Sequence, residues 1–83
     1  MSNQQSAEQM WTKAGAALAA VRKAAKVTRY DLVTEMGVPY ARVQRAEEGR
    51  IEIDPDFDRH FREAVARIAT RRAERASAAL ITA

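Results

Sequence analysis

The residues of this chain that could do chemistry are charges rather than nucleophiles. His60 is the single histidine and there is no cysteine. No glycine-rich phosphate loop and no group with metal-ligand spacing accompanies them, so the residue inventory points away from an enzyme and implies no cofactor and no metal. Asp54, Asp56 and Asp58 alternate like the start of a calcium loop, but the glycine and the distal glutamate of that pattern are missing, and helix capping accounts for them better. The feature that stands out lies between Arg22 and Arg50. Seven bases (Arg22, Lys23, Lys26, Arg29, Arg42, Arg45, Arg50) face four acids (Asp31, Glu35, Glu47, Glu48) there, an excess equal to the whole net charge of +3. Such a concentration suits an acidic partner.

Helices must position these charges. With 83 residues there is room for one domain with a limited core, and oligomerisation is a common remedy for such a core. Two prolines and three glycines interrupt an alanine-rich chain that is 47% apolar and 30% charged, which favours an all-α fold. The polar stretch 1–5 reads as a flexible N-terminus ahead of one domain over 6–83. No apolar run follows it that resembles a signal sequence or approaches the ~18 residues of a membrane span. Without cysteines there is no sign of an oxidising compartment, and the cytoplasm is the expected location.

Four helices follow from periodicity and caps. Ser6 and Gln9 form a capping box for a helix with an apolar stripe at Met10, Ala14, Leu18, Val21 and Ala25, reaching about Lys26. Thr28 and Asp31 start a second helix that buries Leu32 and Met36 and stops at Gly37. Pro39 suits the first turn of a third, with Val43 and Ala46 inward and Gly49 at its end. Ile51 and Ile53 alternate around Glu52 in a short extended stretch. Asp54 and Pro55 then open a long helix, about 55–79, with Phe57, Phe61, Val65 and Ile68 on its buried face. Arg67, Arg71, Arg72 and Arg75 read as solvated, Trp11 as a core or cover residue and His60 as a surface position.

The segment from Thr28 to Gly49, with Arg22 and Lys23 ahead of it, resembles the Xre/Cro-type family of lambda-repressor-like helix-turn-helix DNA-binding domains. Leu32, Gly37, Val38, Val43, Glu47 and Gly49 fall in the family's register, over roughly residues 14–57. The resemblance implies two short helices packed at a wide angle, the second entering the DNA major groove. Carried over by position, Tyr40, Ala41, Gln44 and Arg45 face base edges. Arg45 suits guanine, Gln44 adenine and Ala41 a thymine methyl. Lys26, Thr28, Arg29, Arg42 and Arg50 are phosphate or mixed contacts. Glu47 pairs with Arg22 inside the domain.

The chain departs from the family in three places. Val33 replaces a usual small residue and Ala46 a usual large one, an exchange of volume across the helix contact. The last helix is longer than the family's and could contact a second subunit. The function implied is a transcriptional regulator, a repressor binding a palindromic operator as a homodimer, with half-sites ~34 Å apart, in a bacterial or phage setting. The alternative is a protein-interaction module of the same fold, such as an antitoxin or anti-activator, dependent on Trp11, Ile51, Ile53 or the last helix. No ligand domain is evident, so control by concentration or by a protein partner is expected.

Overall fold

In the computed structural model, residues 6–82 are described and the stretch 1–5, read above as flexible, lies outside them. The chain is all-α, as the sequence implies, with α1 (Ala7–Ala24), α2 (Arg29–Met36), α3 (Tyr40–Glu47) and α4 (Pro55–Thr82). No helix is long and apolar enough to cross a membrane among the described residues.

Local chemistry sets most of the boundaries. The Gln9 N–H donates to Ser6 Oγ (3.1 Å) and the Ser6 N–H to Gln9 Oε1 (3.0 Å), satisfying two amide groups that α1 leaves without partners. Thr28 and Asp31 repeat the device at α2, at 3.0 and 2.8 Å. Gly37 ends α2 at φ +66°, where its N–H reaches the Val33 carbonyl (2.9 Å). A side chain there would meet open space, so only the left-handed backbone demands glycine. Asp54 Oδ1 accepts the Phe57 N–H (2.8 Å) and so caps α4.

Three boundaries differ from the sequence reading. Helix α1 stops at Ala24, two residues before Lys26, because Lys26 itself turns left-handed at φ +57°. Its N–H goes to the Lys23 carbonyl (3.0 Å) and that of Val27 to the Arg22 carbonyl (3.1 Å), the paired bonds of a Schellman cap with lysine where glycine is usual. Pro39 is the N-cap of α3 rather than its first helical residue. Helix α4 runs to Thr82, past the expected end, since no breaker interrupts its alanine-rich half. Ile51 and Ile53 form no strand; both pack against the core from a loop.

The helices enclose one core in the order α1, α3, α2, α4, with α1 and α2 each packed on both α3 and α4. Leu18, Leu32, Val43, Ala46, Phe61 and Ala64 are wholly buried, and Val33 and Met36 lie partly buried against them. Burying a Leu or Phe side chain contributes ~1.5–3 kcal/mol, so these few residues dominate the stability of so small a core. Gly15 is what brings α1 against α3. A Cβ added there would lie 2.2 Å from the Ala46 carbonyl oxygen and 2.7 Å from that of Glu47. From Thr70 to Ile81 every residue of α4 is exposed, Leu80 and Ile81 by 82% and 83%.

Candidate nucleic-acid interface

Helix α3 is built so that one face is fixed and the other is free. Its inward face carries Val43, Ala46 and Glu47, all buried. At 100° per residue the opposite face carries Ala41, Gln44, Arg45 and Glu48. Arg45 and Glu48 are exposed, Ala41 and Gln44 half-buried. Three of the four sequence-picked readers therefore share the outward face. The fourth, Tyr40, sits on a flank, its ring 4.8 Å from that of Tyr30 on α2. Arg42 occupies the other flank, its guanidinium 4.9 Å over the Phe57 ring.

The anchor beneath this face is ionic. Arg22 Nε and Nη2 donate to the two oxygens of Glu47 at 2.6 and 2.7 Å, the bidentate pair the resemblance implied, and Nη1 donates to the Val27 carbonyl (3.0 Å). The Glu47 side chain is only 1% exposed. Arg29 is a third member that the sequence did not reveal, its Nε donating to Glu47 Oε1 at 3.0 Å. Burial alone would raise the Glu47 carboxyl, but the hydrogen bonds from Arg22 and Arg29 outweigh it and hold the group below its ordinary value. The Tyr40 phenol and then Glu47 keep Arg29 protonated beyond its usual range. Arg29 thus ties the start of α2 to α3, and its guanidinium faces this network rather than standing free as the phosphate contact assigned to it. Arg50, also assigned to phosphate, lies 3.1 Å from Glu48 but remains largely exposed. The Thr28 hydroxyl accepts the α2 cap bond and keeps its own proton for a partner.

Three of the α4 arginines read as solvated, Arg67, Arg71 and Arg72, stay exposed but also act as cross-braces, whereas Arg75 does not. Arg67 and Arg71 both bond Glu35, and Arg72 bonds Asp31 (2.8 Å) and the Lys26 carbonyl (3.1 Å). These partners push Glu35 down to about 2, with Arg71 the larger cause. The cap bond from Thr28, then Arg72, lower Asp31. The sequence hid this set because Asp31 and Glu35 are separated from their partners by more than thirty residues of chain.

The cations divide by whether a carboxylate lies beside them. Arg22, Arg29, Arg50, Arg59, Arg62, Arg67, Arg71 and Arg72 each have a carboxylate within 4.0 Å. Among the described residues, Lys13, Lys23, Lys26, Arg42, Arg45 and Arg75 have none. Four of those six sit on α3, in the last turn of α1 or at the α1–α2 turn that follows it. Compared with known protein families, curated proteins and solved structures, the chain has no match.

Proposed function

We propose that this chain is a sequence-specific DNA-binding transcriptional regulator of the Xre/Cro type, a repressor that binds a palindromic operator as a dimer in the cytoplasm. The observation that carries the reading is the gathering of carboxylate-free cations at α3, the last turn of α1 and the turn that follows it, next to the outward Gln44 and Arg45, while most other arginines are neutralised within the fold. Arg45 supplies a fork for guanine O6 and N7, Gln44 an amide for adenine, and Ala41 contact with a thymine methyl. Arg42, Lys26 and the Thr28 hydroxyl hold phosphate, with Arg50 at the edge. The dimer would use the exposed distal half of α4.

The test is binding of the purified protein to the DNA upstream of its own gene, with particle mass and salt dependence recorded. Retention against nonspecific competitor, one dimer per site and loss of preference on Arg45→Ala support the regulator. A second reading, a protein-interaction module such as an antitoxin or anti-activator, is favoured by the exposure of Leu80 and Ile81. It gains if the folded protein shows no DNA preference and captures a protein only while α4 is intact.

A further inference from the structure

A cleft of about 730 Å³ opens between the α2–α3 turn and the start of α4. That size lies within the ~300–1,000 Å³ of small-molecule sites. Its apolar lining is Met36 and Val38, both half-buried, and the buried Phe57. Most of its polar side chains are already held within the fold. Glu35 pairs with Arg67 and Arg71, Asp56 pairs with Arg59, and Asp54 caps α4. Two are left over, Arg42 and His60. Both are exposed, and among the described residues neither side chain hydrogen-bonds a protein group or pairs with a carboxylate. The Arg42 guanidinium rests 4.9 Å over the Phe57 ring, a cation–π contact that keeps it at the cleft and leaves its N–H groups unused.

The uncommitted groups of this cleft are therefore donors beside an apolar wall, and one of them is permanently charged. They match a single carboxylate on an apolar body. The Arg42 fork takes its two oxygens, an imidazole N–H of His60 reaches a remaining lone pair, and the body lies against Met36, Val38 and Phe57. A polyanion does not fit, because Glu35, Asp54 and Asp56 also line the cleft and repel further negative charge. We infer that the cleft is a binding site for a small apolar monocarboxylate, with Arg42 and His60 as its polar contacts, and that its occupant loosens the grip on DNA. The second half rests on the DNA-binding reading above. Arg42 cannot hold a carboxylate in the cleft and a backbone phosphate outside it at once. Ligand and DNA thus compete for one side chain, and each weakens the other by the same factor. The chain gains an effector site without a separate ligand domain.

The experiment titrates isotope-labelled protein with phenylacetate, its neutral amide phenylacetamide, and acetate, and follows the amide NMR signals. Phenylacetate moves the signals of Met36, Val38, Phe57 and His60 and saturates with a Kd on the order of millimolar, as ~10 non-hydrogen atoms permit. Phenylacetamide lacks the charge and acetate the ring, and each binds roughly ten-fold more weakly or worse. Arg42→Gln weakens phenylacetate roughly ten-fold and His60→Ala several-fold. Both variants keep the wild-type circular dichroism, since both side chains are exposed. A fluorescently labelled, mixed-sequence short duplex is then bound across a salt series with saturating phenylacetate or an equal concentration of acetate. Phenylacetate weakens duplex binding roughly ten-fold and lowers the salt slope by about 0.9, as the loss of one phosphate contact requires. The Arg42→Gln protein does not distinguish the two salts. If phenylacetate leaves the cleft signals unmoved at tens of millimolar, if the amide binds as well, or if Arg42→Gln binds it as wild type does, the site is overturned and the α3 reading stands. If phenylacetate binds and duplex affinity is unchanged, its control of DNA binding is overturned. If folded protein binds no duplex even at low salt, the DNA-binding reading falls and takes that control with it, while the titration alone decides the carboxylate site.

Discussion

Glu47 bears more of this structure than any other polar residue, because two arginines and the end of α3 converge on a carboxylate almost fully removed from water. Removing it leaves the buried Arg22 guanidinium without a counter-charge and takes from Arg29 the nearer of its two carboxylates. Glu47→Ala should therefore cost about 3–5 kcal/mol, read as a lower urea midpoint. Arg22 and Glu47 were legible as a pair from the resemblance. Arg29 was not, because its partner depends on how α2 lies across α3, and nothing local in its sequence distinguishes a strut from a phosphate ligand. Glu48 poses a related case. It is an acid on the outward face of α3, neutralised by Arg50 at 3.1 Å and more loosely by Arg29 at 4.0 Å. Glu48→Gln removes a negative charge from the proposed DNA side and frees Arg50 for phosphate. Binding of duplex DNA should become several-fold tighter at low salt, with a steeper salt dependence; weaker binding would make Glu48 itself a base contact.

The helices were legible wherever local chemistry sets them. Ser6, Thr28, Gly37 and Asp54 are strong caps, and all four act as such. The end of α1 was not legible, because a left-handed lysine carries no sequence signal. Gly15 was missed for a related reason: on a helix of alanines a lone glycine looks like a neutral filler, and its purpose appears only once α3 is seen to press on it. This gives a test with opposing terms. In an ordinary helix Gly→Ala gains ~1 kcal/mol. At Gly15 the new methyl would sit 2.2 Å from a backbone oxygen that cannot rotate away. Overpacking should win, leaving Gly15→Ala destabilised by about 2–3 kcal/mol, whereas Gly37→Ala should lose only ~1–2 kcal/mol from its positive φ. Thermal melts of the two variants check the order. The same close approach makes the small residue at Ala46 intelligible, since volume added at this buried junction has α1 against it.

At the scale of the whole molecule, the long α4 is a brace for α2 as well as an extension beyond the core. Its arginines hold the two acids of α2, and this makes the fold sensitive to acid in a defined direction. Glu35 falls from an ordinary 4.5 to about 2 in the folded chain, and Asp31 and Glu47 are also lowered. A group with a depressed folded pKa contributes stability that is fully present above its unfolded value and is lost as pH falls through the folded one. The melting temperature should thus decline as pH drops from 4.5 toward 2, and Glu35→Gln should melt lower near neutrality with a shallower decline over that window. The all-α architecture with its long last helix was legible from composition and periodicity; the clamp was not, since it depends on helices far apart in sequence meeting side by side. Whether the outward face of α3 reads DNA sequence is decided by selection of bound duplexes from a randomised pool. One motif of two-fold symmetry should be enriched, and lost with Arg45→Ala at unchanged melting temperature. A folded protein that enriches no motif at any salt concentration, or an Arg45→Ala variant that enriches the same one, would contradict it.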